Sequence, residues 1–347
     1  MKKMISSVLA ALCLAAFVTA CTPPPMPTTI ISISNANQLA NISSNMSGKY
    51  RLTQNIVVNN WLPLGVDSNP FTGELDGNGF SITINGFNST ENASATIAYY
   101  GLFGYIKGGK VHHLKVSSSS TLTKSTEKIL HFGGIVGCLE SGSVEQCIVD
   151  APLSGTVGLG DFVCAVGGIV GNIFGNGTVT DCYTLGNVSS NKSSILSAGG
   201  AWAGGIAGSL FAGTVQRCYA VGAVNANAAS ATAYAGGILG FRGGLDLAEI
   251  QQCVALNTEV NAAGTAGAHE HRVVGGSGGS TASVNGCFGL DSIVTGPTPG
   301  YNGTGTPASG LAFSFFWTMS PVSWSQAIWD FSNISSTQYP KLRNTPQ

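Results

Sequence analysis

The sequence predicts an all-β chain folded as a right-handed parallel β-helix (a β-solenoid) of about six repeats of about 35 residues. Three observations predict it. A glycine-flanked block recurs and closes each time on a cysteine: GGIVGCLESGSVEQC (Gly133 to Cys147), GGIVGNIFGNGTVTDC (Gly167 to Cys182), GGIAGSLFAGTVQRC (Gly204 to Cys218), GGILGFRGGLDLAEIQQC (Gly236 to Cys253) and a degenerate GGSGGSTASVNGC (Gly275 to Cys287). The steps between these cysteines are 35, 36, 35 and 34 residues. A near-constant period in this range marks a solenoid, whose units bury their apolar faces only against one another. The third observation is glycine: several per unit, each costing a helix about 1 kcal/mol, exclude a helical solenoid. A β-propeller has a comparable period, but its four-stranded blades do not suit units broken so often by glycine.

The elements follow in chain order. Residues 1–20 read as a signal segment: Met1-Lys2-Lys3 supplies positive charge, and Met4 to Val18 is apolar but short for a membrane span. Val18-Thr19-Ala20-Cys21 resembles a bacterial lipobox, which implies cleavage after Ala20 and lipid on the sulfur of Cys21. An ordinary signal peptide that contains a cysteine is the alternative. Residues 21–30 form a Pro-rich tether. Thr22 after the cysteine favours the outer membrane or cell surface of a bacterial envelope.

Residues 31–95 are expected to hold an N-terminal cap and first coil. Asn35 to Ser44 reads as a short helix, with Leu39 and Ile42 three apart. Strand-like pieces follow at Tyr50–Leu52, Ile56–Val58, Phe71–Leu75 and Phe80–Ile84, the last pair joined by an Asp76-Gly77-Asn78-Gly79 turn. Residues 96–290 carry the repeats, opening with Gly101-Leu102-Phe103-Gly104, where Leu114 takes the cysteine's place. Each repeat reads as three strands and three bends. The three-residue step from Val144, Val179 or Val215 to its cysteine breaks alternation and predicts a bend or bulge. The polar stretches Ser189–Ser197 and Asn225–Thr232 read as loops. Residues 291–347 read as a loop and an aromatic C-terminal cap built on Phe315, Phe316, Trp317, Trp324, Trp329 and Tyr339.

Composition narrows the function classes. Charged residues make up 9%, against about a quarter in an ordinary domain. The net charge of −1 leaves no basic footprint for nucleic acid. A hydrophobic content of 44% argues against disorder. Beyond Cys13 and Cys21, seven cysteines remain, an odd number that excludes a complete disulfide framework. Cys147, Cys182, Cys218, Cys253 and Cys287 share one repeat position, so stacked coils superpose them in a core ladder at about 4.8 Å spacing. Small buried thiols are the reading. Bridges between adjacent coils are reachable by Cα distance, but parallel Cβ vectors strain them.

No catalytic group, metal or cofactor is expected. The histidines, His112, His113, His131, His269 and His271, lack the H-E-x-x-H spacing of a zinc peptidase. His269-Glu270-His271 offers two imidazoles on one strand face or a solvated loop. A β-helix lyase or hydrolase needs clustered carboxylates, and the 16 in this chain are scattered. Asp181 and Arg217, each preceding its repeat's cysteine, are the pair one coil apart that brackets a site or forms an ion pair. Asp246 and Glu249 share a loop, and Gly275–Gly279 matches the letters of G-x-S-x-G without a strand leading into a helix. Tyr99, Tyr100, Trp202, Tyr234 and Phe241 stand either as core residues or as loop aromatics that stack on sugars or a partner protein.

The blocks GGIVG…G-V-x-x-C and GLFG…GG-V, with W-L-P-L-G…PFTGELDGNGFSI ahead of them, resemble the GLUG motif of bacterial surface proteins over residues 31 to 347. Ser277 departs from the pattern, where an aliphatic is usual. The resemblance implies a β-helix-like stack at the cell surface, as in adhesin-like proteins and accessory regions of IgA-specific metallopeptidases. The expected role is adhesion or binding to glycan or to a host or neighbouring-cell protein. A polysaccharide lyase or hydrolase and a structural envelope component are the alternatives.

Overall fold

In the computed structural model each repeat forms one turn of a parallel β-solenoid. The structure describes residues 29–196, 198–243, 247–279, 284–290, 292–293, 304–306, 324–332, 334 and 338–346. Ala20, Cys21 and Asp246 lie outside the described residues, as do Phe315, Phe316 and Trp317. Residues 31–347 make one compact unit. No helix among the described residues is long and apolar enough to cross a membrane.

One turn shows the plan. Gly200–Gly204 lies on a first face, Ala207–Leu210 and Gly213–Gln216 on a second, Tyr219–Ala220 on a third and Val224–Ala228 on a fourth, and Thr232 opens the next turn on the first face. Every rung is parallel and in register: Gly200 pairs with Thr232, Ala207 with Leu239, Tyr219 with Val254 and Val224 with Val260. Among the described residues the first face carries six strands, one for each of the six full turns.

The four faces correct the three-strand expectation. The fourth was hidden because its residues are small and polar: Ser189–Ser197 and Asn225–Thr232, read as loops, contribute the strands Val188–Lys192 and Val224–Ala228. These strands lie against the first face, where Ala201 and Ala233 leave a thin gap, and buried Ser190 donates its hydroxyl to Cys164 O at 2.7 Å. So narrow a layer selects alanine, serine and glycine, which removes the alternation that marks a strand.

The corners explain the two recurrent motifs. Gly204 and Gly205 turn the chain from first to second face, and a Cβ on Gly204 would come within 1.8 Å of Ala207 O, one on Gly205 within 2.1 Å of Gly237 O. No side chain fits there. At the next corner a single residue adopts left-handed φ in successive coils: Asn78, His113, Gln146, Asp181, Arg217 and Gln252, with φ from 49° to 53°, and Gly286 in the next coil at 60°. That residue reverses the facing of the chain, so Val144 and Cys147 both point inward although three apart, and both are fully buried. The φ > 0 conformation costs a non-glycine residue energy, and the rung bond offsets it: Asp181 N–H donates to Gln216 O and Arg217 N–H to Gln251 O, each at 3.1 Å.

The interior between second and third faces is a column of valine, isoleucine, leucine and cysteine. At its start the helix Ala36–Ala40, continued by a 3-10 turn over Asn41–Ser44, seats Leu39 and Ile42 in the core. Asn35 caps it by accepting from Gln38 N–H at 3.0 Å. The C-terminal aromatic segment covers the flank of the stack. Trp324, Trp329 and Leu342 pack on the outward side of the third face, against Ile148, Tyr183, Tyr219 and Val254. Trp324 Nε1 donates to Gln252 O at 3.0 Å and Thr345 Oγ1 to Gln146 O at 2.7 Å, so the segment crosses several coils as a strap.

Candidate functional site

The five repeat cysteines form one column at the corner between second and third faces. All are buried and reduced. Each thiol points to the carbonyl two residues back and to a carbonyl of the preceding coil, as Cys218 Sγ does to Gln216 O at 3.2 Å and Val179 O at 3.7 Å. Burial pushes the Cys182 and Cys253 thiols well above their ordinary range. At Cys218 burial acts in the same direction, but hydrogen bonds from the flanking Cys182 and Cys253 sulfurs outweigh it and pull this thiol below its ordinary range. A thiolate at Cys182 or Cys253 would be a charge buried in a dry column, so these two thiols stay protonated. The column is a packing element of the core.

Asp181 and Arg217 are brought together as a bidentate ion pair. Arg217 donates from Nε to Asp181 Oδ1 at 2.8 Å and from a terminal nitrogen to Oδ2 at 2.7 Å, and Trp329 Nε1 donates to Oδ1 at 2.9 Å. Asp181 is 4% exposed beneath the strap. The pair clamps strap to solenoid. His269 and His271 serve different neighbours: His269 stacks on Tyr234 with centroids 4.9 Å apart, while His271 is buried and its Nδ1 meets Gly275 O at 2.9 Å. Gly275 and Ser277 sit in an ordinary second-face strand, Val274–Ser277. Glu249 is exposed and accepts from Gln251 at 2.7 Å.

The aromatics divide, and all five lie on strands. Tyr99 and Tyr100 are buried. Trp202, Tyr234 and Phe241 are half-buried and share an outer surface with Phe211 and His269. First-face register runs Trp202, Tyr234, His269 on successive coils. Trp202 stacks on Phe241 at 4.3 Å, and Phe241 meets Tyr234 edge-on at 5.1 Å. This is a continuous aromatic surface across three turns. On the fourth face Asn227 donates to Asn191 at 3.1 Å and Asn261 to Asn225 at 3.2 Å. That ladder borders a shallow cavity of about 560 Å³ lined by Asn191, Lys192, Ser193, Asn227 and Thr265 among others.

A second constellation, absent from the sequence reading, lies on the outer second face at the N-terminal coils. Register stacks Arg51, Asp76, His112 and Glu145 in one column and Lys49, Glu74 and Lys110 in the next. Lys49 pairs with Glu74 at 3.3 Å, Arg51 with Asp76 at 2.9 Å and Lys110 with Glu145 at 2.7 Å. His113 occupies the left-handed corner, which swings its imidazole to the same side as that of His112. The two Nδ1 atoms stand 2.9 Å apart, and Asp76 Oδ1 lies 3.6 Å from His112 Nδ1 and 3.4 Å from His113 Nδ1. Glu74 Oε1 accepts from His112 Nε2 at 3.1 Å. Burial works to raise the Asp76 pKa, but the Asn78 N–H bond, His112 and Arg51 outweigh it and hold the carboxyl below its usual range. Burial lowers the His112 pKa against the pull of Glu74 and Asp76. The signal for this group was the period itself, since Asp76 and His112 are 36 residues apart.

Fold and surfaces together define a parallel β-solenoid protein with aromatic and polar outer faces. No protein-family model matches the sequence, and no curated protein does. Among solved structures, the chain is similar to one described as "a putative immunoglobulin A1 protease from Bacteroides ovatus", with a TM-score of 0.59 at 20% identity, covering 90% of this chain and 92% of that one. At that identity the likeness is one of fold.

Proposed function

We propose that this chain is a bacterial lipoprotein of the GLUG-motif kind, anchored through Cys21, whose solenoid binds glycan at the cell surface. The observation that carries the reading is the half-exposed surface of Trp202, Tyr234 and Phe241 across successive coils. A pyranose lays its C–H face on such rings, and their stiff side chains lose little freedom on binding. On the opposite side of the layer formed by the first and fourth faces, the Asn ladder of the fourth face offers a separate polar surface with amide donors and acceptors suited to hydroxyl groups. The Val18-Thr19-Ala20-Cys21 segment supports the anchor, and the recurring glycine blocks support the family.

A hydrolytic role is the second reading. It is favoured by Glu74, Asp76 and Glu145 gathered around His112 with Lys110 and Arg51, and by the description of the neighbouring fold as a protease. Probing a glycan array with the full-length protein, then incubating the hits with it, separates the two. Retention of particular glycans at unchanged chain length is expected. Shortening of a bound glycan selects the hydrolytic reading, and retention of none, with capture on a host-matrix protein, moves recognition from sugar to protein.

A further inference from the structure

We propose that Asp76, His112 and His113 bind one divalent transition-metal ion through Oδ1, Nδ1 and Nδ1, with Zn²⁺ the ion their donor set fits. The three atoms are separated by 2.9, 3.4 and 3.6 Å. Ligand atoms around a tetrahedral zinc ion, with bonds of about 2.0–2.1 Å, stand about 3.3 Å apart. One ion therefore reaches all three without moving the backbone. The two imidazole rings stand with centroids 4.7 Å apart and planes inclined at 75°.

The surrounding groups do what outer-shell partners do at metal centres. Glu74 Oε1 lies 3.1 Å from His112 Nε2, which selects the tautomer protonated there and leaves Nδ1 a bare lone pair. Arg51 Nε holds Asp76 Oδ2 at 2.9 Å, and Asn78 N–H bonds Oδ1 at 2.8 Å. These two bonds fix the carboxylate plane and leave Oδ1 a second lone pair. Without a cation, the 2.9 Å contact between the two Nδ1 atoms needs a proton on His113; a metal ion replaces that proton and satisfies both nitrogens together.

The triad borders a cavity of about 520 Å³ lined by Asp76, Asn78, Gly79 and His113 on one side and by Arg343, Asn344, Thr345 and Pro346 of the strap on the other. The cavity gives the ion a fourth ligand, water or an oxygen donor from outside. Two imidazoles and one carboxylate with no thiolate favour zinc and its first-row neighbours over calcium, which takes 6–8 oxygens.

The test is calorimetric titration of Zn²⁺ into full-length, chelator-stripped protein. One ion per chain is expected, with Asp76→Asn and His113→Ala each weakening it tenfold or more, Glu74→Gln weakening it less, and His269→Ala leaving it unchanged. X-ray absorption of the wild-type zinc complex needs no variant: two imidazole nitrogens with oxygen completing the shell are expected. No binding at 100 times the protein concentration, equal affinity in the Asp76 and His113 variants, or fewer than two imidazoles would overturn the site.

Discussion

Around Cys218 the sulfur touches carbonyls of its own and the preceding coil, and the residue is fully buried. Cys218→Ala removes one buried sulfur and is expected to lower stability by about 1 kcal/mol, read as a shift in the urea midpoint. Cys218→Asp places a carboxylate in a column with no cation, and loss of the folded state is expected. Cys147, Cys182 and Cys253 are fully buried and should resist alkylation until the protein unfolds, since access is low, and burial further raises the Cys182 and Cys253 thiols; rapid labelling in native buffer would show the column to be open. Shared repeat position was enough to read this column in sequence. The triad of Asp76, His112 and His113 was not legible in the same way. Neighbouring residues on a strand face opposite sides, so His112-His113 reads as one imidazole out and one in until the left-handed φ of 52° at His113 is known.

Among elements, the strap was the least legible. Its aromatics were evident, yet sequence separation hides that Trp329 meets Asp181, 148 residues away, and that Thr345 meets Gln146, 199 away. The fourth face escaped for a different reason, its alanine, serine and asparagine strands carrying no apolar alternation. The glycine corners, by contrast, were legible because backbone crowding tolerates one residue type only. The Asp181–Arg217 clamp gives the strap a direct test. Arg217→Ala leaves a buried carboxylate with Trp329 as its remaining side-chain donor. Since the Arg217 side chain is 25% exposed, a loss of about 2–3 kcal/mol is expected rather than the 3–5 of a fully buried pair. Trp329→Ala should cost about 3–5 kcal/mol. Both should expose the C-terminal segment to protease before the solenoid core, and simultaneous cleavage of both would mean that the strap is not a separate element.

For the whole molecule, the period of about 35 residues determined the fold, because parallel stacking in register follows once each unit needs its neighbours. The proposed placement in the cell rests on Cys21. Cys21→Ser should leave the chain unprocessed or soluble, since one lipid chain alone gives only reversible membrane binding and the anchor needs the thioether-linked lipid with its further acyl chain. Unchanged membrane fractionation, with no palmitate in the wild type, would refute the anchor. Glycan recognition is the central claim, and it lives on the aromatic surface of three consecutive coils. The direct measurement is equilibrium titration of an array-selected glycan into wild-type protein and into Trp202→Ala and Phe241→Ala variants whose thermal unfolding matches it. Loss of one ring is expected to cost about 1–3 kcal/mol, the scale measured for bases on aromatic side chains, so affinity should fall about fivefold or more in each variant. Equal affinity in wild type and both variants would contradict the account.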